Sequence, residues 1–543
     1  MIRSATAVSV CVFSAVSLCR GDYLDDTGYR ELAAELGTAL PTGQGVTVTQ
    51  VETALTVAGG ATAYLPEEGS GTFTGAGYFM RGVALTAKSG PSGISGHSLD
   101  VAAHFYGRNQ DPNTGRSTFT PGVTAADVYR VGEDDGSDAN SWLGEAFLAP
   151  GSAPPLTESR AVQNHSWISI GTLISSGSDK NLLRRLDFAV QRDGFLTVTG
   201  VNNGQDTTVP ALMASAYNNL AVGVTSGNHS RGGVPMVLDG GGRQKPEIVA
   251  PMDYTSFSTA LVSSAGAFLR QTADTQGPNA RKPQTLKAIL LAGATKEEFP
   301  GWSRTATVPL DRIYGAGELH LGHSWHILAG GEQAANATTP VPDKAWSSAT
   351  LTTATTADYR LTIPPGEIGE VLSVMAVWPR IITDSNPGSG FTASVAALAD
   401  YNLLLQRVPA TGSVVTVDQS LSTIENLEHL YQRNLPSGTW RLRLNLAGGG
   451  HNVPVAVAWR LHRVPHRPGI SLQHADGQDT LTFTGLVTGQ RYLVQNSGTL
   501  DTWTTVNDFT ADGGSFTWSV PPTAGRWFYR LAAADAGAVL PPG

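Results

Sequence analysis

Between residues 45 and 330 the chain alternates short apolar runs with stretches of helical spacing. Val46, Val48 and Val51, with Thr between them, predict a buried strand entered through a Gly-rich turn. Residues 28–37 space Leu32 and Leu36 as a helix and stop at Gly37. Further strands are expected at 126–129, 161–170, 195–199 and 248–250, and residues 214–227 read as a helix end, a turn and a buried strand. Residues 178–194 are the clearest helix, with Leu182, Leu183, Leu186, Ala189 and Val190 on one face and Arg184 and Arg185 off it. After the turn at Pro251, a small-residue helix opens with Thr255 and Ser256, and residues 285–295 form another buried helix. Strand–helix–strand alternation of this kind predicts an α/β domain with a mainly parallel sheet flanked by helices.

Beyond residue 330 the period changes. Residues 331–344 have linker composition, and then apolar runs alternate between Gly/Pro turns. In WRLRLNL, Leu442, Leu444 and Leu446 share one face while Arg441, Arg443 and Asn445 share the other. The expectation is a β-sandwich, jelly-roll-like, over residues 336–465, followed by a small β domain over 466–543. Trp503, Trp518, Trp527, Phe528 and Tyr529 in that last unit read as core aromatics rather than as a sugar-binding platform. The α/β unit is expected over residues 22–335.

Residues 1–21 have the form of an export signal: Arg3, an apolar run from Ala5 to Cys19, and Gly21 at the cleavage position. A buried N-terminal strand is the alternative. The signal implies a secreted or periplasmic bacterial protein. Both cysteines, Cys11 and Cys19, fall inside it, so thiol chemistry is not expected of the mature chain. Strand structure begins soon afterwards, so no large pro-region is expected. The net charge of −9 and the lack of a long basic run exclude the usual electrostatic footprint of nucleic-acid binding. No apolar run is long enough for membrane insertion. The sequence carries no HExxH, Cys/His cluster, P-loop or dinucleotide Gly motif.

Ser256 has two readings. Ser and Thr commonly cap helix starts, but a hydroxyl there also sits beside unpaired N–H groups that favour developing negative charge. The segments KPEIVAP (245–251) and YTSFSTA (254–260) resemble the nucleophile segment of the subtilisin-like serine proteases, with Tyr254 replacing a Gly and Ala260 a Pro. GQGVTVTQVETAL resembles that family's acid segment, with Glu52 in place of Asp, and GHSLDVA (96–102) resembles its His segment through Gly96, His97, Val101 and Ala102. Residues 161–170 resemble the substrate-cradling strand, 201–204 the oxyanion segment, and 314–328 the closing turn and helix. The resemblance covers roughly residues 38–330 and lies in the order and spacing of these motifs.

The resemblance implies Ser256 as nucleophile, His97 as general base, Glu52 as the residue that orients it, and Asn202 as oxyanion donor. Asp100 is a subordinate acidic neighbour of His97. Polypeptides are the implied substrates, and no cofactor is required. Structural Ca²⁺ is common in the family but has no placed site here, and the acidic loop 132–140 fits no EF-hand spacing. The competing expectation is a catalytically silent fold that binds peptides or surfaces, favoured by Glu52, Tyr254 and Ala260.

Overall fold

The computed structural model describes residues 22–56, 62–66, 82–107, 117–132, 138–169, 176–205, 208–450, 452–521 and 527–534. The expected export signal and residues 133–137 of the acidic loop lie outside the described residues. Seven helices are used below: α1 (Tyr23–Asp26), α2 (Tyr29–Leu36), α3 (Gly96–Tyr106), α4 (Ser176–Asp193), α5 (Thr255–Gln276), α6 (Pro283–Gly293) and α7 (Leu321–Ala329). The central sheet is built from β1 (Val48–Glu52), β2 (Ala84–Ala87), β3 (Ala125–Arg130), β4 (Val162–His165), β5 (Leu196–Gly200), β6 (Asn219–Val224) and β7 (Ile248–Ala250).

Their order is β7-β6-β5-β4-β1-β3-β2, and every pairing is parallel. Parallel strands need crossovers, and the crossover helices cover both faces. On one face α3, α5, α6 and α7 pack with Val48, Val162, Leu196, Leu220 and Ile248; on the other, α4 packs with Val51 and Tyr129. Strand alternation therefore puts Gln50 and Glu52 on the same face as Val48, toward α3 and α5. The chain leaves β1 for β2 and β3 on one side and later reaches β4 on the other. The crevice at the carboxyl ends of β1 and β4 is thus a topological switch point, where open α/β sheets bind ligands.

Small residues let α5 lie close to the sheet. A Cβ on Gly266 would come 2.6 Å from Leu196, and one on Gly200 would come 2.9 Å from Thr259 Oγ1. The KPE stretch just before β7 is fixed differently. Glu247 is fully buried and its Oε1 pairs with Lys245 Nζ at 2.7 Å and Lys287 Nζ at 2.8 Å. Its Oε2 accepts from Ala221 N–H at 3.0 Å. Burial alone would push this carboxyl up, but the two ammonium groups hold it below the usual range.

The sandwich consists of a five-stranded and a four-stranded sheet. The four-stranded sheet, made by Lys344–Thr350, Pro454–Pro465, Glu367–Val377 and Leu427–Leu435, is buried on both faces. Val374, Ala376, Val455, Val457 and Trp459 point into the sandwich core. Met375, Val377, Ala456 and Ala458, their alternating neighbours, join the core of the α/β domain. Helix α6 packs on this second face. Two three-stranded sheets between Gly469 and Ala534 follow, with Leu481, Phe483, Tyr492 and Val494 at their centre.

Four expectations are corrected. Trp527 and Phe528, read as core aromatics, are exposed, whereas Trp518 and Tyr529 pack against the core of the last unit. Of residues 161–170 only Val162–His165 form a strand; residues 166–169 leave the sheet and Ile170 lies outside the described residues. The expected helix end near Ala214 is a turn. Residues 336–340 of the expected linker form an edge strand, parallel to Thr356–Ile363.

Glu247→Gln would leave two buried ammonium groups without a counter-charge. Breaking such a site costs about 3–5 kcal/mol, and urea unfolding of the variant should show a loss of that order.

Candidate active site

Each functional side chain suggested by the sequence sits at the carboxyl edge of the sheet. Glu52 is the last residue of β1, and His97 lies in the first turn of α3. Ser95 caps α3, its Oγ accepting the Ser98 N–H at 3.3 Å. Asn202 and Asn203 follow β5, and Ser256 is the second residue of α5. His97, Ser256, Asn202 and Asn203 line one cleft of about 420 Å³ with Thr53, Ser166, Trp167, Ile168, Gly200, Val201 and Thr255.

His97 Nδ1–H donates to Glu52 Oε2 at 2.8 Å. The carboxylate is completely buried, whereas the imidazole side chain is 37% exposed toward the cleft. Burial pulls the His97 pKa down, but the hydrogen bond and charge of Glu52, with a further contribution from Asp100, outweigh it and raise the net value. Glu52, rather than Asp100, makes the Nδ1 contact. Phe257, from the first turn of α5, stacks against the His97 ring at 6.5 Å.

Ser256 does not cap its helix. The N-cap is Tyr254, in extended conformation and without a side-chain capping bond. The Tyr254 carbonyl takes the N–H groups of Phe257 and Ser258, and Asn203 Oδ1 takes that of Thr255 at 2.9 Å. The Ser256 N–H has no hydrogen-bond partner among the described residues. Its hydroxyl donates to the Ser166 carbonyl at 3.4 Å, and Ser166 Oγ donates back to the Ser256 carbonyl at 2.8 Å. Among the described residues no hydrogen bond joins Ser256 Oγ to His97.

The two asparagines are held differently. Asn202 is anchored by its backbone, its N–H donating to Ser230 Oγ at 3.0 Å and its carbonyl accepting Ser230 N–H at 2.8 Å. Asn203, which the sequence did not single out, is anchored by its side chain. Its Oδ1 also accepts from Thr255 Oγ1 at 3.1 Å, which leaves its Nδ2 without a partner among the described residues. Motif alignment by position could not see this, because a turn decides which of two adjacent amides faces the helix.

The segment after β4 is set by a buried imidazole. Trp167 Nε1–H donates to His165 Nδ1 at 3.1 Å, and His165 Nε2–H donates to Gln163 Oε1 at 3.2 Å. Complete burial lowers the His165 pKa to about 3, so the ring stays neutral and acts as an acceptor for Trp167. Among the described residues no group of three or more His, Cys, Asp or Glu is arranged to hold a metal ion. Nor is any described helix long and apolar enough to cross a membrane.

No protein-family model matches the chain, and no curated protein matches it. Similar solved structures include MycP1 from Mycobacterium smegmatis, 18% identical over 60% of this chain and 89% of that one, with a TM-score of 0.35. Fervidolysin from Fervidobacterium pennivorans, a keratinolytic enzyme related to subtilisin, is 12% identical over 92% of this chain and 69% of that one, at 0.36. Tripeptidyl peptidase 2 is 12% identical over 81% of this chain and 52% of that one, at 0.30. These neighbours are subtilisin-like serine proteases and other peptidases, and at such TM-scores the likeness carries no functional weight.

His97 should titrate above the ordinary imidazole value of about 6.5. NMR titration of the ring is expected to show this, and Glu52→Gln, which removes the charge and leaves the burial, should bring the midpoint below that of the unaltered protein.

Proposed function

We propose that the protein is an exported serine endopeptidase. One observation carries this reading: a buried carboxylate paired with Nδ1 of a part-exposed histidine, in a cleft shared with a helix-start serine whose own N–H has no partner among the described residues. These are the parts that acyl transfer needs. Ser256 Oγ attacks the peptide carbonyl while His97 Nε2 takes its proton, and Glu52 stabilises the resulting imidazolium through Nδ1–H. The oxyanion is held by the Ser256 N–H and by a side-chain amide of the Asn202–Asn203 pair. His97 then protonates the leaving amine, and water hydrolyses the acyl-enzyme by the reverse sequence. These steps need no cofactor. Export rests on the form of residues 1–21.

Motif position favours Asn202 as the amide donor. The anchored side chain favours Asn203, because Oδ1 held on Thr255 fixes where Nδ2 can lie. We assign the larger share to Asn203. Loss of an oxyanion donor costs roughly a hundred- to a thousandfold in kcat; Asn203→Ala should fall in that range, and Asn202→Ala should lose less, with both read from steady-state peptide hydrolysis.

A second reading, a silent peptide-binding fold, is favoured by the Ser256 hydroxyl donating to Ser166 rather than to His97. A fluorophosphonate probe separates the two. The signal-free protein should be labelled at Ser256, with labelling lost in Ser256→Ala and strongly reduced in His97→Ala. A folded, unlabelled protein would favour the binding reading. For the active enzyme, Glu52→Asp withdraws the carboxylate by about 1.5 Å. A misplacement on that scale is expected to lower kcat about a hundredfold.

A further inference from the structure

Glu52 has two oxygens, and the second is also occupied. Gln50 lies two residues earlier on β1, so its side chain shares the face of Glu52. Its Nε2 donates to Glu52 Oε1 at 2.8 Å and to the Ser98 carbonyl at 2.9 Å, with Ser98 Oγ at 3.1 Å. At the other end of the same amide, Tyr106 O–H donates to Gln50 Oε1 at 2.6 Å. Gln50, Glu52, Ser98 and Tyr106 are all 0% exposed.

The chemistry of these partners admits only one orientation of the Gln50 amide. A carboxylate and a backbone carbonyl only accept, so both require the NH₂ end. Tyr106 is held in its neutral form, since burial first and the Glu52 charge second push its pKa well up. Its hydroxyl can therefore donate to the amide oxygen. A flipped amide would set its oxygen against the carboxylate and its NH₂ against a donor. Moreover, Gln50 touches both members of the functional pair: the carboxylate directly, and the α3 backbone at Ser98, next to His97. It thereby ties the end of β1 to the first turn of α3, while Tyr106, at the last turn of α3, locks the tie.

We propose that Gln50 and Tyr106 are positioning residues, a bracket that aims the longer Glu52 side chain at His97 Nδ1 and fixes the distance between them. Its kinetic consequence rests on the hydrolase reading above; its structural consequence does not. The groups that act electrostatically on His97 are Glu52 from β1 and Asp100 from α3, and α5 contributes the uncharged Phe257. Without the bracket, Glu52 acts on His97 less, while the burial that lowers its pKa remains.

The test uses the full chain carrying Gln50→Met, which keeps side-chain length, or Tyr106→Phe, which keeps the ring. Both variants should lower kcat by on the order of tenfold with little change in KM, the pattern of a lost transition-state contribution. Both should also move the NMR titration midpoint of His97 downward from that of the unaltered protein. A lower melting temperature with unchanged kcat and unchanged His97 titration would mean ordinary core packing and overturn the bracket. If Gln50→Met fails to fold, Tyr106→Phe carries the test alone. Should the unaltered protein neither label nor hydrolyse peptides, the hydrolase reading fails, and the His97 titration of the variants still decides the bracket.

Discussion

A carboxylate at zero exposure is the constraint on which the rest of this architecture turns. Removing such a charge from water costs several kcal/mol unless its oxygens are met by donors with good geometry. Glu52 meets this demand through His97 on one oxygen and Gln50 on the other, each at 2.8 Å. Gln50 is supplied by β1 itself, whereas His97 must be delivered from outside the strand. His97 comes from the first turn of α3, so α3 has to start at the carboxyl end of β1, and Ser95 fixes where that start lies. The orientation of an imidazole in an open cleft is thus decided by bonds made in a closed one.

The α/β domain and the sandwich share a core, and this sets what the site rests on. In the strand Pro454–Pro465, Val455, Val457 and Trp459 face the sandwich core, and Ala456 and Ala458 lie on the face toward α6. Small side chains there let helix and sheet approach closely, as in any packed interior. Lys287 on the same helix reaches inward to Glu247 and to the Asn219 carbonyl at 2.6 Å. The chain from Glu247 through β7 to Ser256 is consequently braced from the side of the sandwich. Separating the two units would expose apolar sheet and helix surface together, so the sandwich acts structurally as part of the domain that carries the cleft.

Much of this was legible in the sequence wherever burial imposes a period. The strand ending in Glu52, the Leu-rich face of α4 and the alternation in WRLRLNL are direct consequences of one-sided or two-sided burial. The edge strand Ala84–Ala87 escaped because it is largely exposed and shows no alternation. Residues 166–169 read as strand because Trp167 and Ile168 are apolar, yet their local path is set by the bond from Trp167 to His165, which no period reveals. Glu52 and His97 could be paired through motif order, whereas Tyr106 could not. Its role depends on the length of α3 returning a hydroxyl to β1. Period-two reasoning does place Gln50 beside Glu52, and a polar pair on the buried face of a strand is itself a signal.

On the proposed hydrolase reading, Ser256 holds the place of a resting nucleophile. Its bond to the Ser166 carbonyl spans 3.4 Å, against about 2.7–2.8 Å for an ordinary O–H···O bond. A contact that long holds the hydroxyl weakly, and rotation about one side-chain bond releases it without moving the helix. The backbone, by contrast, is held firmly: Ser166 Oγ grips the Ser256 carbonyl at 2.8 Å and Asn203 grips the Thr255 N–H at 2.9 Å. Catalytic hydrogen bonds commonly tighten only once substrate is bound. On that reading, a peptide carbonyl drawn to the Ser256 N–H, which has no partner among the described residues, would bring its carbon beside the hydroxyl, and the raised basicity of His97 would favour transfer of the hydroxyl proton as attack proceeds. In that mechanism the loose element is the one that moves, and the groups around it are those that stay in place.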